Sequence, residues 1–413
     1  MLYRTLGNTG RQISALSYGC MRYPRIGGAK GRGGRIDEAR AARQIHSAID
    51  AGVNYFDTAY VYDAGRNEGI LGDILAGGHR QRVMIATKLP PYLVHQPKDM
   101  DAILETQLKR LRTDHIDFYL VHALNDVGGW NRLKELGILE FVEKAKAAGK
   151  IGCFGFSYHG EKTDFKRLLD DHLWDFCQIQ YNYLDEHYQA GREGLEYAEG
   201  KDIGVVVMEP LRGGMLTGRI PDSVGNLWAQ AGITRSPAEW ALRWLWNHSG
   251  VTTVLSGMNQ EDHIAENIRV AGEALPNHLT SEELALIDAV KGEYFRLKKV
   301  DCTGCGYCMP CPAGVNIPMC FGFYNNKHLF GGRGANFQYL GFTSGLTGGK
   351  PSNASLCIDC GKCEKACPQH IPIRQELRQV VREMEPFPAG ELLAGVRRYL
   401  RLRDRLAHRK NSE

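Results

Sequence analysis

The chain has 413 residues, 43% hydrophobic and 24% charged, the ordinary balance of a soluble globular protein. A net charge of +4, from 51 basic and 47 acidic side chains, is too small to imply nucleic-acid binding. No apolar run reaches the roughly 18 residues of a membrane span, and the first residues lack a signal peptide's basic and apolar regions, so a cytoplasmic protein is expected.

Residues 1–10, with Gly7-Asn8-Thr9-Gly10 as the turn, read as a β-hairpin at the floor of a barrel. From Ile13 to about residue 272, short apolar runs alternate with helical stretches. The runs are 15–20, 53–56, 83–86, 116–121, 151–156, 176–179, 205–208 and 251–255. They are apolar on both faces, as parallel strands buried on both sides are. Between them, 37–51, 98–111, 136–148 and 238–246 carry helical spacing of apolar residues. Such alternation means α/β with a parallel sheet. An eight-fold count over about 270 residues fits a closed (β/α)8 TIM barrel better than an open sheet.

A helix at 281–291 leads to a segment rich in Cys, Pro and Gly from Asp301 onward. The glycine-rich stretch 331–350 reads as a long loop, and 374–385 as a helix. The chain ends in Arg397, Arg398, Arg401, Arg403, Arg405, Arg409 and Lys410, a solvated basic face or a docking surface for an acidic partner. The expected organisation is 1–290 barrel, 291–385 cysteine-bearing domain and 386–413 basic helical tail.

Catalytic groups in such barrels sit at the C-terminal ends of strands. The second strand ends in Phe56-Asp57-Thr58-Ala59, with Tyr62 five residues past the aspartate. The third ends in Ala86-Thr87-Lys88 and the fourth in Leu120-Val121-His122. Singly, each has an ordinary structural explanation: a helix N-cap, a surface lysine, a satisfied core histidine. Together, on consecutive strands, they converge on one rim. A phenol has a reference pKa near ~10, and a nearby ammonium favours the phenolate. Asp57 would hold Lys88 charged, and His122 would aim a carbonyl. Tyr62 would then protonate the alkoxide as hydride arrives.

Phe56-Asp57-Thr58-Ala59-Tyr60-Val61-Tyr62, followed by Lys88 and His122, resembles the tetrad of the aldo-keto reductases. Arg4-Thr5-Leu6-Gly7, Asn67-Glu68, Gly155-Phe156-Ser157 and Ala265-Glu266-Asn267 also match that family's pattern, over roughly residues 1–290. The resemblance implies NAD(P)H-linked reduction of a carbonyl-type substrate. It implies that Ser157 and Gln178 bind the nicotinamide carboxamide, with Tyr158 where the family has asparagine. Met208, ahead of Pro210 and Leu211, stands where an aromatic ring usually stacks. The phosphate loops implied are 211–216, around Gly213, and Ser256-Gly257-Met258-Asn259-Gln260, which leads into a helix carrying His263 and Asn267. The basic residues that a 2′-phosphate wants are missing there, leaving NADPH and NADH both open.

Nine of the twelve cysteines lie between Cys302 and Cys367, a pattern of metal binding rather than of disulfides. One run holds Cys302, Cys305, Cys308 and Cys311. The other holds Cys357, Cys360, Cys363 and Cys367, the ferredoxin spacing C-x2-C-x2-C-x3-C-P. Structural zinc also uses CxxC pairs, but four cysteines per run, each ending in Cys-Pro, exceed what a zinc knuckle needs. By the usual exchange of the fourth ligand, one [4Fe–4S] cluster takes Cys302, Cys305, Cys308 and Cys367. The other takes Cys357, Cys360, Cys363 and Cys311. Cys320 is left over as a buried apolar residue. The 45 residues between the runs suggest a mainly α-helical ferredoxin-like domain, and the whole chain resembles the aldo-keto reductase subfamily that carries one.

Three functions fit. The first is an NAD(P)H-linked carbonyl reductase whose two clusters exchange single electrons with a ferredoxin or flavoprotein. The second is a plain carbonyl reductase with structural clusters. The third is a non-enzymatic iron–sulfur carrier or sensor, against which the intact tetrad argues.

Overall fold

The computed structural model describes residues 1–386 except 28–33, 161, 219, 303, 305, 332–333 and 346–350, together with Glu391 and Gly395. It forms two compact units, Met1–Thr217 with Ile233–Ile287, and Gly218–Gly232 with the chain from Asp288 onward.

In the first unit eight parallel strands close a barrel. They are β1 (Leu16–Gly19), β2 (Tyr55–Asp57), β3 (Met84–Leu89), β4 (Ile116–Leu124), β5 (Ile151–Tyr158), β6 (Phe176–Gln180), β7 (Gly204–Met208) and β8 (Thr253–Ser256). Neighbours in the barrel are neighbours in sequence, and β8 closes onto β1 with Leu255 opposite Ser17. All eight apolar runs are therefore barrel strands. The helix expected at 37–51 spans Glu38–Asp50, started by the Asp37 carboxylate accepting from the Arg40 N–H. Pro97–Leu111 begins with a Gln96/Asp99 capping box.

The N-terminal hairpin pairs Tyr3–Thr5 with Gln12–Ser14, and Leu6 and Ile13 join the buried cluster of the barrel interior. A β-carbon on Gly204, at the start of β7, would lie 2.4 Å from the Leu6 side chain, so glycine leaves room for that plug.

In the second unit the helices Ile317–Phe330, Ala335–Thr343 and Ile373–Met384 pack around Ile317, Phe321, Tyr339, Leu377 and Val380. The loop expected over 331–350 is thus interrupted by the helix Ala335–Thr343. Its glycines hide one anchor, Tyr339, which is fully buried and supplies the contact that the loop reading lacked. Cys305 and the arginines of the basic tail lie outside the described residues. Among the described residues no helix is long and apolar enough to cross a membrane.

Candidate active site

Side chains alternate along a strand, so residues two apart share a face. Tyr55, Ala86, Leu120, Phe176 and Val206 belong to the cluster filling the barrel. Two residues further along the same faces stand Asp57, Lys88, His122, Gln178 and Met208. The polar layer is therefore the next interior layer toward the C-terminal mouth.

Lys88 Nζ donates to both Asp57 oxygens, at 2.6 and 2.7 Å, and to the Thr58 carbonyl at 2.8 Å. Both side chains are buried. Burial pulls the ammonium down, but Asp57 and Tyr62 outweigh it and hold Lys88 above its ordinary value. Lys88 Nζ lies 5.2 Å from the centre of the Tyr62 ring. The edge of that ring meets His122 at 6.0 Å between centroids and 83° between planes. A tyrosine lowered by its lysine is the sequence expectation. In the site, enclosure outweighs Lys88 and the phenol is raised. His122 is pushed down to about 3 by burial and by Lys88, so its imidazole is neutral, and its buried Nδ1 has no partner among the described residues.

The turn that carries Tyr62 is held from outside the barrel. Asn67 accepts from Thr58 Oγ1 at 2.7 Å and donates to the Cys20 carbonyl at 2.9 Å and to Asp63 at 2.7 Å. Glu68, fully buried, receives Thr87 at 2.6 Å, Gln107 at 2.9 Å and Arg110 at 3.0 Å. Arg110 in turn lies over Tyr60 at 4.3 Å from the ring centre. The Asn67-Glu68 pair thus ties the turn carrying Tyr62 to the ends of β1 and β2, to β3 and to the helix Pro97–Leu111.

Of the expected nucleotide contacts, Ser157 and Gln178 are paired across β5 and β6, both buried. Ser157 Oγ accepts from the Ala123 N–H at 2.8 Å, and Gln178 Oε1 has no partner among the described residues. A β-carbon on Gly155 would lie 2.4 Å from the Phe176 carbonyl, so glycine permits this pairing. Tyr158 points away from the interior and packs on Phe165 at 5.0 Å between ring centres. Met208 is paired with Gln180, while Pro210 is buried and Leu211 half-buried. Asn267 Nδ2 donates to Ser256 Oγ at 3.0 Å. Asn259 is half-buried, and His263 is exposed on the helix Glu261–Ala271.

One cation had no motif to reveal it. Arg22, just past β1, donates from Nη1 to the Gly213 carbonyl at 3.1 Å. Its stem runs beside Gly257, where a β-carbon would meet it at 3.4 Å. It joins the two candidate phosphate loops.

In the second unit Cys302, Cys308 and Cys367 line one cavity with Ile317, Phe321 and Ile373. Cys311, Cys357 and Cys363 pack on the same core, and Cys360 is exposed. The Asp359 N–H donates to Cys357 Sγ at 3.5 Å. Cys320 is fully buried, its thiol pushed up to about 12 by burial.

The Aldo/keto reductase family model matches residues 16–291, and the 4Fe-4S dicluster domain model matches 301–371. An uncharacterised oxidoreductase of Bacillus subtilis is 31% identical over 247 residues, 53% of this chain and 69% of the relative. The 6-dehydroglucose reductase of Novosphingobium aromaticivorans is 26% identical over 70% of this chain and 96% of its own. An aldo-keto reductase from Bacillus halodurans, solved in its holo form, superposes with a TM-score of 0.58 at 27% identity. It covers 70% of this chain and 96% of that one.

Proposed function

The chain belongs to the aldo/keto reductase family and joins its barrel, an NAD(P)H-dependent oxidoreductase, to a 4Fe-4S dicluster domain; on that premise we propose that it reduces a small carbonyl substrate at Asp57, Tyr62, Lys88 and His122 and holds two [4Fe–4S] clusters for electron transfer. The observation that carries this reading is the buried Lys88 ammonium, gripped by Asp57 beside the Tyr62 ring.

When bound, NAD(P)H supplies the hydride and the clusters supply single electrons. Neutral His122 orients the carbonyl oxygen as a hydrogen-bond donor. Tyr62 gives its phenolic proton to that oxygen as negative charge builds there, and Lys88 stabilises the phenolate left behind. Asp57 keeps Lys88 charged and in place.

Buried Gln178 Oε1, beside Ser157 and without a partner among the described residues, fits the nicotinamide carboxamide. Met208, Pro210, Leu211, Gly213, Ser256, Gly257, Asn259, His263 and Asn267 would follow the rest of NADPH or NADH, with Arg22 between the loops. The cavity shared by Cys302, Cys308 and Cys367 supports the ligand exchange between the runs. Packing of six of the cysteines on the second unit's core favours the alternative, clusters that are structural only.

The pH profile follows from the shifts. Carbonyl reduction needs Tyr62 protonated, and its raised value keeps it so through neutral pH. The rate should stay flat from pH ~5 to ~9, with no acid limb from His122, and fall only above the ordinary phenol range. A limb near pH 6.5 in kcat/KM would count against a neutral His122. Arg22→Ala should weaken dinucleotide binding about tenfold, the worth of one charge-assisted hydrogen bond. Fluorescence titration at low and high salt measures this, and an unchanged Kd would remove Arg22 from the site.

The test of the whole reading is anaerobic addition of NADPH or NADH to the purified chain, followed by visible absorbance and EPR. Bleaching with a reduced-cluster signal supports electron exchange, onward to a ferredoxin or flavoprotein. No change, with clusters still reducible by dithionite, leaves the structural alternative.

A further inference from the structure

Among the described residues of the second unit, one buried carboxylate has no cation partner. Glu385 is 5% exposed and caps the helix Ile373–Met384. Its Oε1 accepts from the Tyr339 hydroxyl at 2.5 Å and from the Ser355 N–H at 3.2 Å. Its Oε2 accepts from Asn353 Nδ2 at 3.1 Å. The Tyr339 hydroxyl, having donated to Glu385, accepts from the Ala354 N–H at 2.8 Å. Tyr339 and Asn353 are both fully buried. All of Glu385's partners donate, the pattern an ionised carboxylate requires. Among the described residues the lysine, arginine and histidine pairs of this unit go to Glu383, Glu364, Asp359 and other carboxylates, and none goes to Glu385.

A buried charge with no cation among the described residues is costly, so an apolar residue would serve packing better. What Glu385 holds is one turn. Ala354 and Ser355 belong to the single helical turn Ala354–Leu356, and the next residue is Cys357, the first of the second run. The Cys357 N–H donates back to the Ala354 carbonyl at 3.1 Å, so the cysteine is tied to the same turn. A fixed negative charge behind that turn, in a low dielectric, opposes the arrival of an electron on the thiolate-bound group beyond it. The Asp359 N–H on Cys357 Sγ acts in the opposite sense.

We propose that Glu385 is a positioning residue for the second cysteine run, fixing the turn that delivers Cys357 and holding the midpoint potential of that run's cluster low through its buried negative charge. This rests on the reading that the two runs hold [4Fe–4S] clusters. The step concerned is a one-electron reduction of the oxidised cluster, the electron coming in the assay from dithionite.

The experiment is an EPR-monitored redox titration of the full chain, comparing wild type with Glu385→Gln, Glu385→Asp and Tyr339→Phe. Glu385→Gln keeps the shape and removes the charge. One of the two cluster signals should move to a higher midpoint while the other keeps its own. Glu385→Asp should restore a low midpoint. Tyr339→Phe removes a hydroxyl and leaves the charge, so the midpoint should stay at or below that of wild type. Unmoved midpoints in loaded Glu385→Gln protein overturn the proposal. A rise in Tyr339→Phe overturns it as well, because disorder of the turn and not charge would then set the potential. If Glu385→Gln does not load iron, a rise in Tyr339→Phe still overturns the proposal. A wild-type chain without cluster signals defeats the cluster reading itself, and is told apart from these outcomes before any variant is made.

Discussion

Tyr62→Phe should lower kcat for carbonyl reduction by about 10³, within the range for losing a positioned acid. The ring, its edge contact with His122 and its place over Lys88 are kept, so only the proton is lost. Dinucleotide Kd should not move, because the candidate nucleotide contacts are Arg22 after β1 and residues on β5 to β8 and their loops, and none of them is Tyr62. Lys88→Met tests the same site from below. It leaves Asp57 as a buried carboxylate without its cation, a change worth about 3–5 kcal/mol in stability as well as a loss of rate. Stopped-flow hydride transfer with a simple aldehyde, beside thermal melts, separates the two effects. Full turnover by Tyr62→Phe with every carbonyl tried would mean that another group supplies the proton.

Cys360→Ala should remove one cluster outright. Iron per chain should fall from about eight to about four, and one of two EPR spectra should vanish. The second unit should also unfold earlier, since its small core is closed around the cysteines it packs against. Cys320→Ala is the matched control. That thiol sits beside the Tyr339 hydroxyl at 3.9 Å and does not line the cavity of Cys302, Cys308 and Cys367. Its loss should leave iron content intact. Iron and spectra at wild-type levels in Cys360→Ala would show that the second run does not ligate as its spacing implies.

Much of this was legible in the chain because the signals are local. Each barrel strand is a short apolar run, and each of these polar candidates stands at the C-terminal end of one, where such barrels carry catalytic groups. Asp57, Lys88 and His122 could be named on that ground, and the cysteines by spacing within runs of ten or so residues. Composition misled where one side chain outweighed its neighbours. The glycines of 331–350 read as loop, yet buried Tyr339 holds a helix there. The raised Tyr62 phenol was likewise beyond reach, since enclosure is a sum over every wall of the barrel mouth and the lysine motif reports only one of them.

What the sequence determined by itself, then, is the eight-fold α/β alternation, the polar residues at its strand ends and the two cysteine runs, each specified by neighbours within a few positions. Only the tertiary structure decided the rest. Arg22 meets Gly213 across 191 positions, Ser157 pairs with Gln178 through the register of β5 and β6, and Cys367 shares a cavity with Cys302 and Cys308. Glu385 holds the turn before Cys357 from 30 residues away. These contacts join segments whose separation in the chain carries no periodicity, so they exist only once the barrel has closed and the helices of the second unit have packed.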